Sequence, residues 1–332
     1  MKKNLVRTAY SIFMLILFPT SAYPQWVQTN WPASNSFFNL YTSQGMVFAR
    51  TWDSLHGGRV FLTDDNGTHW TQISSVDSDI DILSVVVFNN KILAGTWDGF
   101  YRSTLGDIYW EPFSPTGMPS DTVIWSMTMI DNALFAGTGG HVYTSSIDDA
   151  DTWIEGGTGI PVNARITSLV ANGNALFAGS DSNGVFITTD GGTRWTAVNS
   201  GLADTHISQL VAMGAKLFAV TLKGVFVYDT IGMSWAAYSS GLKNINCLLA
   251  AKNMHFAGTD DNGVYLSVDS GLTWTPFSSG MPAGTRVWSL AASSDNTFIF
   301  AGTGSGVWRT PSPAMTNNTP TVTTPTFTKA RI

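Results

Sequence analysis

The chain has 332 residues, with 17 basic against 23 acidic side chains and a formal net charge of −6. That acidic, sparsely charged balance excludes nucleic acid and anionic membrane as main partners. A single cysteine, Cys247, excludes an intrachain disulfide, so stability must come from packing, and 13 tryptophans with 32 glycines suit many short strands and tight turns.

Lys2, Lys3 and Arg7 precede an apolar run over residues 11–18, and Thr20-Ser21-Ala22 supplies small residues before Tyr23. This is the pattern of a signal peptide over residues 1–22, and the run falls short of the roughly 20 apolar residues of a membrane span. Its removal takes away three basic groups and no acidic one, leaving 14 against 23 and a net charge of −9. No membrane insertion is expected of the remainder. Trp26 then opens a strand that stands alone. Beyond it a unit recurs: I-x-S-L, an apolar stretch, a turn, L-F-A-G-T, a short loop, G-V-F/Y and a turn ending in tryptophan. Residues 166–195 show it in full as ITSLVANGNALFAGSDSNGVFITTDGGTRW. Each apolar stretch has strand length and is bounded by Gly, Asn or Asp, so the unit predicts four antiparallel strands, the content of one propeller blade.

Counting tryptophans gives the blade number. Trp26, Trp70, Trp110, Trp153, Trp195, Trp235 and Trp274 are spaced by 44, 40, 43, 42, 40 and 39 residues. After Trp274 one more set of strands ends in Ala301-Gly302-Thr303 and Gly306-Val307-Trp308, with no tryptophan turn behind it. Trp26, conversely, has no three strands before it. Pairing the two ends predicts an all-β fold, a single seven-bladed β-propeller of four-stranded antiparallel blades over residues 23–310, closed by the N-terminal strand. From Pro311 the pattern dissolves into PSPAMTNNTPTVTTPTFTKARI, which predicts a Thr/Pro-rich disordered tail or linker over residues 311–332.

The turns before the tryptophans carry a phrase. Ser267, Asp269, Gly271, Thr273 and Trp274 make a complete S-x-D-x-G-x-T-W, and its relatives are Thr63-Asp65-Gly67-Trp70, Thr188-Asp190-Gly192-Trp195 and Ser146-Asp148-Ala150-Thr152-Trp153. Worn copies end at Trp110 and Trp235, where Leu105 and Thr230 replace the aspartate. The aspartates Asp65, Asp148, Asp190 and Asp269 are expected to accept turn N–H groups, the glycine to supply positive φ and the tryptophan to fill the gap between blades. This phrase resembles the Asp-box (BNR) repeat of sialidase-like β-propellers. The resemblance implies the fold and places the boxes on one face, with ligands meeting the other face near the central channel. There, before the inner strands, stand Ser36, Asp81, Val123, Arg165, His206, Asn244 and Arg286. After the second strands stand Trp52-Asp53, Trp97-Asp98, Gly139-Gly140, Asp181-Ser182, Leu222-Lys223, Asp260-Asp261 and Gly304-Ser305. Trp52, Asp53, Trp97, Asp98, Arg165, His206, Asp260 and Arg286 are the candidate ligand residues, because tryptophan beside aspartate can stack on a sugar ring and bind its hydroxyls.

Three chemistries bear on these rings. The sialidases use an arginine cluster, a tyrosine nucleophile and a glutamate partner. This chain has two glutamates, Glu111 and Glu155, both expected on outermost strands away from the channel, and it lacks the R-I-P phrase of that family. Val47-Phe48-Ala49-Arg50-Thr51-Trp52-Asp53 resembles the Y-A-R-T-D phrase of the xyloglucan-hydrolysing propellers, which makes Asp53 a candidate catalytic residue. Trp52 interrupts the phrase, however, and that family holds its second carboxylate on a second propeller. For metals, five scattered histidines show no ligand spacing, and Asp77-x-Asp79-x-Asp81 lacks the glycine and glutamate of a calcium loop. No metal or cofactor is expected. The photosystem II stability and assembly factors are similar single propellers, but they use a basic arginine patch, and the arginines here are dispersed. The sequence therefore reads as an exported, monomeric, non-catalytic binding, adhesion or display module for a glycan or an extracellular protein, secreted, periplasmic or at the surface of a bacterium. A glycoside hydrolase is the alternative.

Overall fold

The computed structural model describes residues 24–31, 39–43, 45–53, 57–73, 82–107, 109–148, 150–238 and 241–313, the side chains of residues 52, 53, 57 and 58 excepted. The signal segment, Ser36, the Asp77-Asp79-Asp81 loop and the tail beyond residue 313 lie outside them. Seven separate four-stranded antiparallel sheets form, and no helix occurs among the described residues. Blades 1 to 6 occupy residues 39–72, 82–113, 126–155, 166–197, 207–237 and 245–276, each running through its strands in chain order. Blade 7 is built from Val287–Ala292, Phe298–Thr303 and Gly306–Pro311, and its fourth strand is Val27–Gln28. The register there is Val27↔Arg309 and Gln28↔Trp308. The ends pair as the tryptophan count requires, and the last strand runs to Pro311.

The I-x-S-L phrase explains how the ring holds its inner wall. An innermost strand has a free edge whose backbone groups need partners. Side chains of the phrase, with Tyr41 just after it in blade 1, supply them across the seven seams. Ser84 Oγ donates to Ile124 O (3.5 Å), Ser126 Oγ to Ile166 O (2.7 Å) and Thr167 Oγ1 to Ile207 O (2.8 Å). Gln209 both donates to Leu248 O and accepts its N–H, and Asn246 Nδ2 donates to Val287 O (3.1 Å). Ser289 Oγ accepts the Leu40 N–H (3.1 Å) and Tyr41 Oη donates to Leu83 O (2.7 Å), which closes the circle. In blades 2, 4, 5, 6 and 7 the register slips by one residue inside this phrase, a β-bulge that turns the x residue toward the channel.

The outer wall is latched by the tryptophans. The N–H groups of Trp153, Trp195 and Trp235 donate to Thr116, Thr158 and Ser200 of the preceding blade (2.7–2.8 Å), and Trp26 donates to Ser279 O (2.8 Å) in the same way. Trp26 thus does in blade 7 what the box tryptophans do elsewhere, although it lies some 250 residues from its partners. It is 2% exposed between blades 6 and 7 among Phe256, Phe277 and Val287, a burial that stabilises by roughly 2–3 kcal/mol. The residue after each acceptor is glycine: Gly117, Gly159, Gly201 and Gly280. Gly280 shows why. Its φ is 99°, and a Cβ there would collide with the Trp26 carbonyl oxygen. Cys247 is buried on the inner strand of blade 6, and that burial pushes its thiol up to about 12, which leaves it inert.

Candidate functional site

On one face the box turns consume their own polar groups. Asp269 Oδ1 accepts the Thr273 N–H (2.9 Å) and the Ser267 hydroxyl (2.7 Å), while Ser267 Oγ accepts the Gly271 N–H (2.8 Å). Asp190 repeats this with Arg194 N–H (3.0 Å) and Thr188 (2.8 Å), and Asp65 with Thr68 and His69 N–H (3.0 and 2.9 Å). The Thr273 hydroxyl and N–H hold the Asp269 carboxyl down at about 2, and the Arg194 N–H does the same for Asp190. At Asp65 burial opposes ionisation, but the His69 N–H and ring outweigh it and the value is again about 2. In the Asp148 copy, Ser146 Oγ accepts the Asp148 N–H (3.2 Å) and Ala150 takes the positive φ of the glycine, at 56°. In three of the four boxes the indole N–H donates to the turn's own carbonyl, Gly192, Gly271, or Ala150 in the glycine-free copy, whereas Trp70 donates to Thr29 Oγ1 (3.2 Å). Trp110 and Trp235, behind the worn boxes, lack that acceptor and donate instead to Ile73 and Val198 of the preceding blade. Trp26 does likewise with Phe277.

The opposite face is built from the A-G-T end of each second strand. The buried hydroxyl there donates across the loop to a carbonyl three or four residues on: Thr96 to Gly99, Thr138 to His141, Ser180 to Gly184, Thr259 to Gly263. The loop is braced from below, and in blade 2 its two central side chains, Trp97 and Asp98, face solvent. Trp97 is presented this way and stays 46% exposed; Asp98 beside it is exposed, its N–H donating to Thr96 Oγ1 (3.0 Å). Trp97 meets Trp125 edge to face with centroids 4.7 Å apart. The Arg165 guanidinium lies 5.2 Å from the Trp125 ring and 3.6 Å from Asp181, and His206 Nδ1 contacts Asp181 O at 2.7 Å. Trp97, Trp125 and Arg165 border an open cleft of about 680 Å³ whose other walls include Pro119, His141 and Val162. Val162 is 80% exposed.

Across the channel mouth a second cluster forms. Arg286 of blade 7 holds Asp260 of blade 6 through two nitrogens, Nε to Oδ1 at 2.6 Å and Nη2 to Oδ2 at 2.7 Å. Asn246 donates to the same carboxylate (3.3 Å), and Arg286 lies 4.6 Å from the Trp288 ring. The structure therefore gathers Trp97, Arg165 and His206 on one side and Asp260 with Arg286 on the other. Trp52 and Asp53 end the strand Met46–Asp53, paired with Gly58 and Gly57, and their side chains lie outside the described ones.

Three residues of this face escape the sequence reading. Trp125 and Trp288 occupy the x of I-x-S, in Ile124-Trp125-Ser126 and Val287-Trp288-Ser289, a phrase that reads as plain strand. The third is His141, whose Nδ1 is 3.0 Å from Glu155. Glu111 and Glu155 do lie on outermost strands. The Glu155 side chain nevertheless contacts His141, a wall of the cleft. Burial, with Glu155 adding its charge, raises the Tyr143 phenol above its ordinary value. The arrangement can stack a ligand on indole faces and offer it paired donors and acceptors.

Comparison with known proteins places this architecture. The model of the DUF6242 beta propeller domain matches residues 85–201, 130–241 and 188–302, overlapping registers that reflect the repeat. Among curated proteins none matches. Solved structures share the fold. The extracellular domain of BT4673 from B. thetaiotaomicron is 16% identical with a TM-score of 0.66, over 86% of this chain and 40% of that one, so this chain spans about two fifths of its length. YCF48 bound to D1 peptide is 14% identical with a TM-score of 0.65, over 88% of this chain and 96% of that one. YCF48 from Cyanidioschyzon merolae is 15% identical with a TM-score of 0.65, over 88% and 100%. With its matches running from residue 85 to residue 302, the chain belongs to the DUF6242 beta propeller domain family.

Proposed function

We propose that the protein is an exported, monomeric Asp-box propeller that binds a glycan or an extracellular protein on the face opposite its boxes, without catalysing a reaction. Residues 1–22 direct export, and the Thr/Pro-rich residues after the last strand serve as a tail or linker. The observation that carries this reading is the Trp97–Trp125–Arg165 cleft, where half-exposed aromatic surface sits beside charges already held by partners. Asp181, Asp260 and Glu155 each engage a basic side chain, an arrangement suited to recognition and not to paired acid and base work. The likeness to an extracellular domain and to a propeller solved with a peptide supports a binding role.

Replacing Trp97 by alanine is expected to weaken partner binding by roughly 1–3 kcal/mol through lost aromatic burial, with little change in fold stability. Partner capture from the extracellular milieu, followed by titration of wild type and variant, measures it. Hydrolysis of xyloglucan or a sialoside, abolished by Asp53→Asn with the fold intact, would replace this reading with a glycosidase.

A further inference from the structure

We infer that the channel mouth is a two-platform clamp for a neutral oligosaccharide, with Trp125 and Trp288 as its stacking surfaces. The inference rests on the binding-module reading and names its ligand. Trp125, just before the inner strand of blade 3, and Trp288, in the inner strand of blade 7, hold the same place in the repeat phrase, and both line the same central cavity of about 310 Å³. Each half-buried indole carries a guanidinium on its ring, Arg165 at 5.2 Å and Arg286 at 4.6 Å. Each guanidinium is answered in turn by a carboxylate, Asp181 at 3.6 Å and Asp260 at 2.6 Å. Two structures of the same kind, tryptophan, arginine and aspartate, thus face one opening from blades that are not neighbours.

The charge balance selects the ligand. A site for a sulfate, phosphate or uronate would present an uncompensated cation, and here both cations are compensated. What remains is an apolar indole surface flanked by groups that both donate and accept. A pyranose matches it: its C–H face lies on the ring and its hydroxyls take either role. The wall between the platforms is rich in hydroxyl and amide groups, among them Ser126, Ser208, Asn246 and Ser289. A cavity of this size is at the small end of ligand pockets and takes little more than a sugar ring. Trp125 is also a wall of the larger cleft that contains Trp97. The two spaces share that indole, so a chain seated on Trp288 and Trp125 continues outward over Trp97.

The test is calorimetric titration of the full chain with cellohexaose, maltohexaose, xylohexaose and mannohexaose, with hexagalacturonate as the anionic control. At least one neutral hexaose is expected to bind, with an affinity insensitive to salt. Trp125→Ala and Trp288→Ala should each weaken it about tenfold, Trp288→Phe should retain most of the affinity, and the matching disaccharide should bind weakly. Circular dichroism melting of each variant separates lost stacking from lost fold, and the phenylalanine variant keeps the question answerable should the alanine variant not fold. Binding of no neutral hexaose, preference for hexagalacturonate, or indifference to Trp288→Ala each overturns the clamp. A captured protein partner lost in Trp97→Ala, with no sugar bound, sinks the clamp and leaves the binding module standing. A captured partner that Trp97→Ala does not affect sinks the broader reading as well.

Discussion

On the box face, Arg194 pairs with Asp190 four residues away in the same turn, 3.1 Å from Nε to Oδ2. On the opposite face, Arg286 crosses from blade 7 to Asp260 in blade 6 at 2.6 Å. The chemical pair is the same and its reach differs. A pair confined to one turn can be copied wherever the phrase is copied, and its carboxylate is also held by the Arg194 N–H and the Thr188 hydroxyl. A pair between loops depends on two loops at once, so it differs around the ring: Arg165 with the Asp181 carboxylate, His206 with the Asp181 backbone carbonyl, Arg286 with the Asp260 carboxylate. Uniform groups bound to their own backbone build the ring; groups that vary around it and lie beside exposed indoles are available for recognition.

This contrast can be broken by substitution. Gly280→Ala should have the largest effect, because a Cβ at φ 99° meets the Trp26 carbonyl and forces the closing seam apart. We expect a loss of about 3 kcal/mol or more in urea unfolding, combining backbone strain with overpacking. A smaller loss, about 1 kcal/mol, is expected for Asp269→Ala, whose turn N–H and hydroxyl partners turn to water. Ligand binding on the far face should survive it; loss of binding with unchanged melting temperature would move the site to the boxes.

Acid acts on the box turns through their carboxyls. The carboxyls of Asp65, Asp190 and Asp269 fall to about 2 in the folded chain, below their ordinary 3.8. A depressed carboxyl contributes stability above its unfolded value and loses it as pH falls through the folded one, so unfolding midpoints should drop between about pH 4 and pH 2. An Asp269→Asn variant should show a shallower fall. The smallest effect belongs to His255, buried in blade 6 with Nδ1 unpartnered among the described residues. Burial, then the Lys216 charge, lowers its value below 6.5, with Asp269 acting in the opposite direction. The neutral form is the folded form, so stability is full above pH 6.5 and declines as pH falls below it. His255→Leu should flatten that first decline, and a midpoint that still falls between pH 6.5 and 5 would place its origin elsewhere.

Blade number and closure were legible because they rest on counting: seven tryptophans and an unfinished last set force Val27 beside Arg309. The box aspartates were legible for a similar reason, since all the partners of Asp269 lie within four residues. The recognition face was readable in part. Trp97 and Arg165 follow from their place in the repeat, whereas the meeting of Trp97 with Trp125 depends on a contact between loops of different blades. Trp125 and Trp288 were hidden for a further reason. In an alternating strand an aromatic at x reads as core, and only the local bulge in blade 7 reveals that Trp288 is turned toward the channel. The His141–Glu155 contact joins the residue before the third strand of blade 3 to its fourth strand and has no sequence signature.

The N-terminal strand also sets the order of events during synthesis. Six blades are assembled from neighbouring hairpins, each able to form as soon as its own 30 or so residues are available. The seventh must wait, because Val27 and Gln28 are made first while Arg309 and Trp308 are made last. Until then the opening segment has no sheet to join, and both the sixth blade and the unfinished seventh expose bare flanks. Ring formation is therefore one late, long-range step, vulnerable to anything that captures the free segment early. A circular permutant joining the seventh blade's four strands in one continuous stretch is expected to fold faster than the natural order.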